Sequence, residues 1–151
     1  MKVGIAGYGV VGKTRHRSIE SNTSYQITAI SESSQEARKF IPAGIKIYYD
    51  YKSLIASADI DVIFISLPNQ FASEAACLSL QRGLHVFCEK PPARTHAELL
   101  EVEKQSLKFP ELKLMYGFNH RFHLSVEEAK LLIDSNSLGR LINMKGVYGK
   151  S

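Results

Sequence analysis

"KVGIAGYGVVGK", residues 2–13, decides the fold. Its first half, 2–7, is short, apolar and bounded by glycine, which predicts a buried strand. From Val10 the chain can run as a helix to about residue 20. Between them stand Gly7, Tyr8, Gly9, Val10, Val11 and Gly12, a G-x-G-x-x-G. In that pattern the first glycine makes the tight turn and the second lets a pyrophosphate approach the backbone. The third lets helix and strand pack closely, and the helix N-terminus faces the phosphates. A glycine-rich turn with no ligand is the competing reading, and the residues around the turn must decide between the two.

The rest of the chain repeats the strand-then-helix order. Strands are predicted at 26–31, 45–49, 61–66, 85–88 and 112–117. Helices are predicted from the Ser33/Glu36 capping spacing, over 51–57, over 72–82 up to Gly83, and from the Thr95/Glu98 spacing to about Lys108, before Pro110. Alternation of this kind implies βαβ units and a parallel sheet. Six strands match a doubly wound α/β sheet of order 3-2-1-4-5-6, the dinucleotide-binding arrangement. Beyond it, Ser125 and Glu128 have capping-box spacing, with Val126, Ala129, Leu132 and Ile133 on one helical face. A last strand is expected over 141–148. We therefore divide the chain into a Rossmann domain at 1–120 and, at 121–151, a crossover helix and first strand of a truncated second α/β domain.

Glu32 ends the second strand, at the spacing expected for an acid that binds the adenosine ribose hydroxyls. Its charge would repel a 2′-phosphate, so NAD is expected over NADP. Ser33, Ser34 and Arg38 pull the other way, because a hydroxyl and a guanidinium could serve a phosphate. Lys13, Arg15 and Arg17 read as solvated cations.

Bulk composition sets the remaining limits. The 151 residues carry 44% hydrophobic and 23% charged side chains and a formal net charge of +4. The cations are scattered, which argues against a nucleic-acid partner. The sequence holds no apolar run of membrane-spanning length, and no membrane partner is expected. Cys77 and Cys88 have no metal-ligand or C-x-x-C spacing, and read as reduced thiols of a cytoplasmic protein. A nucleophilic Cys88 is the sharper alternative. His120 and His123 have i, i+3 spacing without an apparent third ligand, so no metal site is expected.

"VFCEKPPA", residues 86–93, leaves the fifth strand through an acid, a base and two prolines. The prolines stop the ladder and fix the exit direction, and either X–Pro bond could be cis. In this topology ligands bind beyond the strand carboxyl ends, with strands 4 and 5 on the nicotinamide side. Lys90 there could move the alcohol proton while hydride passes between substrate carbon and ring. A surface Lys–Glu pair is the plainer alternative, and the chemistry alone leaves the two level.

The motifs resemble the glucose–fructose oxidoreductase/inositol dehydrogenase/MocA (Gfo/Idh/MocA) family over the whole chain. "DIDVIFISLPN" is similar to its D-x-V-x-I-x-T-P-N, "GLHVFCEKP" to its G-K-H-V-x-C-E-K-P, and "YGFNHRFH" to the segment crossing into its second domain. "SNSLGRLINMKGVYG" resembles the start of that second domain. Leu67 stands where the family usually has Thr, and Ala72 where it often has His. The resemblance implies an NAD-dependent oxidoreductase acting on a polyol, sugar or sugar nucleotide, with Lys90 catalytic and Glu89 near the nicotinamide. It implies that Ser66, Leu67, Pro68 and Asn69 line the cofactor, and that Asn119 and Arg121 lie near nicotinamide or substrate. "YGFNHRFH" with "GRLINMKGVYGKS" looks most like the branch that oxidises sugar nucleotides. Family members carry further acid/base residues in the second domain, so the 151 residues alone are expected to be almost inactive, and the full-length form a homo-oligomer. The competing functions are a non-catalytic NAD-binding sensor, which has no use for Lys90, and a methyltransferase, in which the E-K-P corner has no role.

Overall fold

The computed structural model describes residues 1–147 and 149. Six strands form one parallel sheet: β1 (Lys2–Ala6), β2 (Gln26–Ser31), β3 (Lys46–Tyr48), β4 (Val62–Ile65), β5 (His85–Cys88) and β6 (Leu114–Tyr116). Their order is β3-β2-β1-β4-β5-β6, the doubly wound arrangement expected. The turnaround lies between β1, which continues outward to β2, and β4, which starts the other half. Ile5 pairs with Phe64 there, and Ile65 with Cys88 one strand further on.

The alternation of side chains along each strand feeds two apolar layers. Val3, Ile5, Ile30 and Val62 face helix α1 (Val10–Glu20) and its Ile19. Ala6, Ile63, Ile65 and Val86 face the opposite layer. That layer is built from α3 (Tyr51–Ser57), α4 (Asn69–Gln81) and α5 (His96–Lys108) through Leu54, Ala75, Leu80 and Val102. Ile5, Ile63, Leu54 and Leu80 are fully buried, each worth about 2 kcal/mol of apolar transfer.

Local chemistry places the helix starts. Asp50 caps α3 by accepting from the Ser53 amide, and Thr95 caps α5 by accepting from the Glu98 amide. Helix α2 (Gln35–Arg38) is capped by Ser34, one residue later than the expected Ser33, because the Glu32 carboxylate takes the Ser34 amide. Helix α4 starts at Asn69 rather than 72. Pro68 has no N–H to leave unpaired at the N-cap, and the helix begins directly after it. Gly83, at φ +82°, ends that helix region in the left-handed conformation that glycine adopts without strain.

The chain divides into two compact units, the first Met1–Gly117 and the second starting at Phe118. The second holds a 3₁₀ turn (Asn119–Phe122) and α6 (Leu124–Asp134). His123, not Ser125, occupies the N-cap of α6; Ser125 lies inside the first turn, so the expected capping box is not formed. The strand expected over 141–148 is also absent at 141–147, and Tyr148 lies outside the described residues. A strand exists only as part of a ladder. Residues 141–147 carry no ladder pairing.

Candidate cofactor-binding site

A cavity of about 600 Å³ opens at the carboxyl ends of β1 to β4. Four stretches line it: Gly7 and Gly9–Val11 after β1, Ser31–Ser33 at the end of β2, Tyr49–Tyr51 after β3, and Ser66–Pro68 with Phe71 after β4.

The three turn glycines have three different physical reasons. Gly7 has φ +88°, and a Cβ on it would come within 2.7 Å of the Ser66 carbonyl oxygen. A Cβ on Gly12 would stand 2.1 Å from the Gly7 carbonyl oxygen, so α1 can approach its own turn only through a glycine. Gly9 differs. Its φ is −70°, which any residue adopts, and a Cβ there would meet nothing within 4 Å. The protein's own packing gives no reason for a glycine at that point, whereas a ligand backbone pressed against the turn does. Gly9 is also the N-cap of α1, without any side-chain cap, and the first turn carries no acid. The orphan amides and positive dipole end of α1 are therefore left for an anion.

Glu32 lines the cavity and reaches the turn directly. Its carboxylate accepts from the Tyr8 amide and the Ser34 amide, both at 2.8 Å. The acid at the end of β2 is thus oriented by two backbone donors. Arg38 Nη1 donates to the carbonyl oxygens of Glu32 (2.9 Å) and Ser33 (2.8 Å), and its guanidinium lies over the Tyr49 ring. That nitrogen is already committed, which weakens the case for Arg38 as a 2′-phosphate ligand. The Ser66 hydroxyl is buried without a hydrogen-bond partner, at the wall of the cavity. Together these features fit a dinucleotide: an uncapped helix end for phosphates, a fixed carboxylate for ribose hydroxyls, and apolar walls from Leu67, Pro68 and Phe71.

Other expected residues sit elsewhere. Tyr8 contributes only its amide to the site; its ring is buried and its hydroxyl is 2.9 Å from His16 Nδ1. Burial, with the Glu20 charge adding, raises the pKa of that hydroxyl. Asn69 opens α4 beside the cavity, outside its lining. Lys90 is exposed just past the end of β5, the strand next to β4. The Lys90–Pro91 peptide is cis. Glu89 is not a free acid: it forms an ion pair with Arg15 of α1. The expectation of a solvated Arg15 is corrected accordingly, since its side chain is only 19% exposed. Cys88 is buried, and burial with the Glu89 charge pushes its thiol up to about 12. This removes the thiolate a nucleophile needs near neutral pH.

Asn119 and Arg121 belong to the 3₁₀ turn of the second unit. The His120 and His123 rings are 4.6 Å apart there, and the described residues hold no group of three metal-binding side chains. The sequence reading missed Tyr49, Asp50, Tyr51 and Phe71 as cavity walls. The available signal was "YYDY" directly after a strand at the ligand-binding edge.

The comparisons with known proteins agree with this geometry. Residues 1–117 match the Gfo/Idh/MocA family model, described as oxidoreductase family, NAD-binding Rossmann fold. The inositol 2-dehydrogenase of Salmonella typhimurium is 28% identical over 97% of this chain and 45% of its own length. The levoglucosan dehydrogenase of Pseudarthrobacter phenanthrenivorans is 34% identical over 66% of this chain and 25% of its own. The crystal structure of scyllo-inositol dehydrogenase from Lactobacillus casei with bound NAD(H) and scyllo-inositol superposes with a TM-score of 0.83. It is 28% identical over 92% of this chain and 42% of that one. The chain thus spans less than half the length of these relatives.

Proposed function

Since the chain belongs to the Gfo/Idh/MocA oxidoreductase family and carries its NAD-binding Rossmann domain, we propose that it is the cofactor-binding part of a dehydrogenase. The reaction moves hydride between nicotinamide and a CH–OH carbon of a polyol, sugar or sugar nucleotide. The relatives' names, inositol 2-dehydrogenase and levoglucosan dehydrogenase among them, support that substrate class. NAD, when bound, supplies the hydride acceptor. The chain's own residues supply the rest. Amides of Val10 and Val11 in the α1 first turn, beside Gly9, would hold the pyrophosphate, and Glu32 would take the ribose hydroxyls, favouring NAD over NADP. Ser66, Leu67, Pro68 and Asn69 border the cofactor after β4. Lys90, one strand further along, holds or releases at Nζ the proton of the substrate hydroxyl. Asn119 and Arg121 are assigned to the substrate or nicotinamide side on the family resemblance. The two unpaired cysteines support a cytoplasmic location, and the longer protein is taken to be a homo-oligomer without nucleic-acid or membrane partners.

The observation that carries the cofactor reading is the unobstructed space at Gly9. Its test is Gly9→Val: the variant should fold normally and lose at least about tenfold in NADH affinity by fluorescence titration. Unchanged affinity would remove the turn from the site.

Because substrate positioning supplies much of a rate enhancement, the 151 residues alone should bind cofactor and turn over very little. The exposure of Lys90 keeps a second reading in play, a non-catalytic NAD-binding sensor. Lys90→Ala in the longer protein separates the two. The dehydrogenase reading requires loss of most turnover with NADH affinity retained, on the order of a hundredfold for a general acid/base.

A further inference from the structure

The residue that precedes Lys90 is held in a box. The Glu89 side chain is only 11% exposed, and its carboxylate is paired with the Arg15 guanidinium. Its other oxygen fills the space over Gly117, where an added Cβ would stand 2.8 Å from Glu89 Oε2. Arg15 is itself flanked by the Phe87 ring, 4.9 Å from its guanidinium carbon. The backbone is pinned on both sides: the Glu89 amide donates to the Ile65 carbonyl at 2.9 Å, and the Gly117 amide to the Cys88 carbonyl at 2.8 Å. These bonds fix the strand end but stop short of Lys90. Beyond them the corner that carries Lys90 rests on the prolines that follow it and on the slot that the Glu89 side chain fills beside Gly117.

A sheltered carboxylate is tolerated only while its charge is compensated. Without the guanidinium, the least costly relief is for Glu89 to swing into water, which empties the slot against Gly117 and takes packing away from the corner carrying Lys90. Arg15 lies on α1, whose first turn lines the cofactor cavity. One ion pair, across 74 residues of sequence, therefore joins the helix facing the cofactor phosphates to the corner presenting the lysine.

We propose that Arg15 is a positioning residue for Lys90, acting by holding Glu89 in its slot against Gly117. The proposal rests on the reading of Lys90 given above. It assigns no contact between Arg15 and substrate or cofactor.

The test reads Lys90 directly, without turnover. The 151-residue chain is acylated with a small N-hydroxysuccinimide ester, with and without NADH, and the rate at Lys90 is followed by peptide mass spectrometry. NADH is kept saturating for each variant, according to its own dissociation constant, so a change in affinity does not enter. Lys104, on the outer face of α5, is the internal control. In the unmodified chain, NADH should slow acylation of Lys90 and leave Lys104 unchanged. Arg15→Met should bind NADH and lose that protection at Lys90 alone. Arg15→Lys, which keeps the charge without the planar fork, should retain part of it. Should Arg15→Met not fold, Glu89→Ala is read instead, and the same loss is expected because the slot is empty. Full protection in either folded variant overturns the proposal and leaves the dehydrogenase reading standing. Bound NADH that fails to protect Lys90 in the unmodified chain overturns both.

Discussion

Helices α1 and α6 have the same length, 11 residues, and opposite fates. Helix α1 is studded with Lys13, Arg15, His16 and Arg17, yet it buries Gly12, His16 and Ile19. Helix α6 carries Leu124, Val126, Leu131 and Leu132, and buries nothing. An apolar face is thus a request for a partner, and only a receiving surface answers it. For α1 the receiving surface is β1 with its glycine turn. Polar residues on α1 are buried because they are paired there: His16 sits between the Tyr8 hydroxyl and Glu20, and Arg15 meets Glu89.

The largest expected effect breaks α1 at its tightest contact. Gly12→Ala sets a methyl against the Gly7 carbonyl oxygen, and neither backbone can rotate away. It should cost more than about 3 kcal/mol in urea unfolding. Loss below about 1 kcal/mol would mean that α1 can shift off the turn. A smaller effect sharpens the contrast. Ile19→Ala, at a position 5% exposed, should cost about 3 kcal/mol by cavity formation. Leu131→Ala, at 62% exposure, should stay within about 0.5 kcal/mol. Equal costs would show that α6 has a packing partner after all.

The smallest effect separates burial from surface tethers. The Ser53 hydroxyl and amide hold the Asp50 carboxyl below its ordinary value, and Lys52, with Tyr51, does the same for Glu74. A carboxyl whose folded pKa is depressed stabilises above its unfolded value, and that contribution fades as pH falls through the folded one. From pH ~5 to ~3, around the ordinary carboxylate range, hydrogen-exchange protection should drop at Ser53 and Leu54. The α1 amides around His16 and Ile19 should keep theirs over the same interval.

Much of the fold is legible in the sequence, for a simple reason. Strands β1, β2 and β5 are apolar runs closed by glycine or charge, β4 is one opened by Asp61 and followed by Pro68, and Gly7, Gly9 and Gly12 mark where the first crossover starts. What is not legible depends on distance or on absent partners. Arg15 and Glu89 stand 74 residues apart, and no spacing rule connects them. Tyr49 and Tyr51 become cavity walls only because β3 pairs with β2 and ends beside Glu32. The shift of the α2 cap from Ser33 to Ser34 follows from where the Glu32 carboxylate points, which is itself set by Tyr8. Residues 141–147 have the composition of a strand but no ladder to join.

Both outer strands of the sheet, β3 and β6, are only three residues long. A stray extended chain arriving at either border would find few free amides and carbonyls before the backbone turns away, with Lys46 inside one border and Lys113 flanking the other. Short, charged margins of this kind are how parallel sheets resist edge-to-edge growth into aggregates. The domain should accordingly tolerate high protein concentration without forming β-rich precipitate, and lengthening β6 would be the shortest route to losing that tolerance.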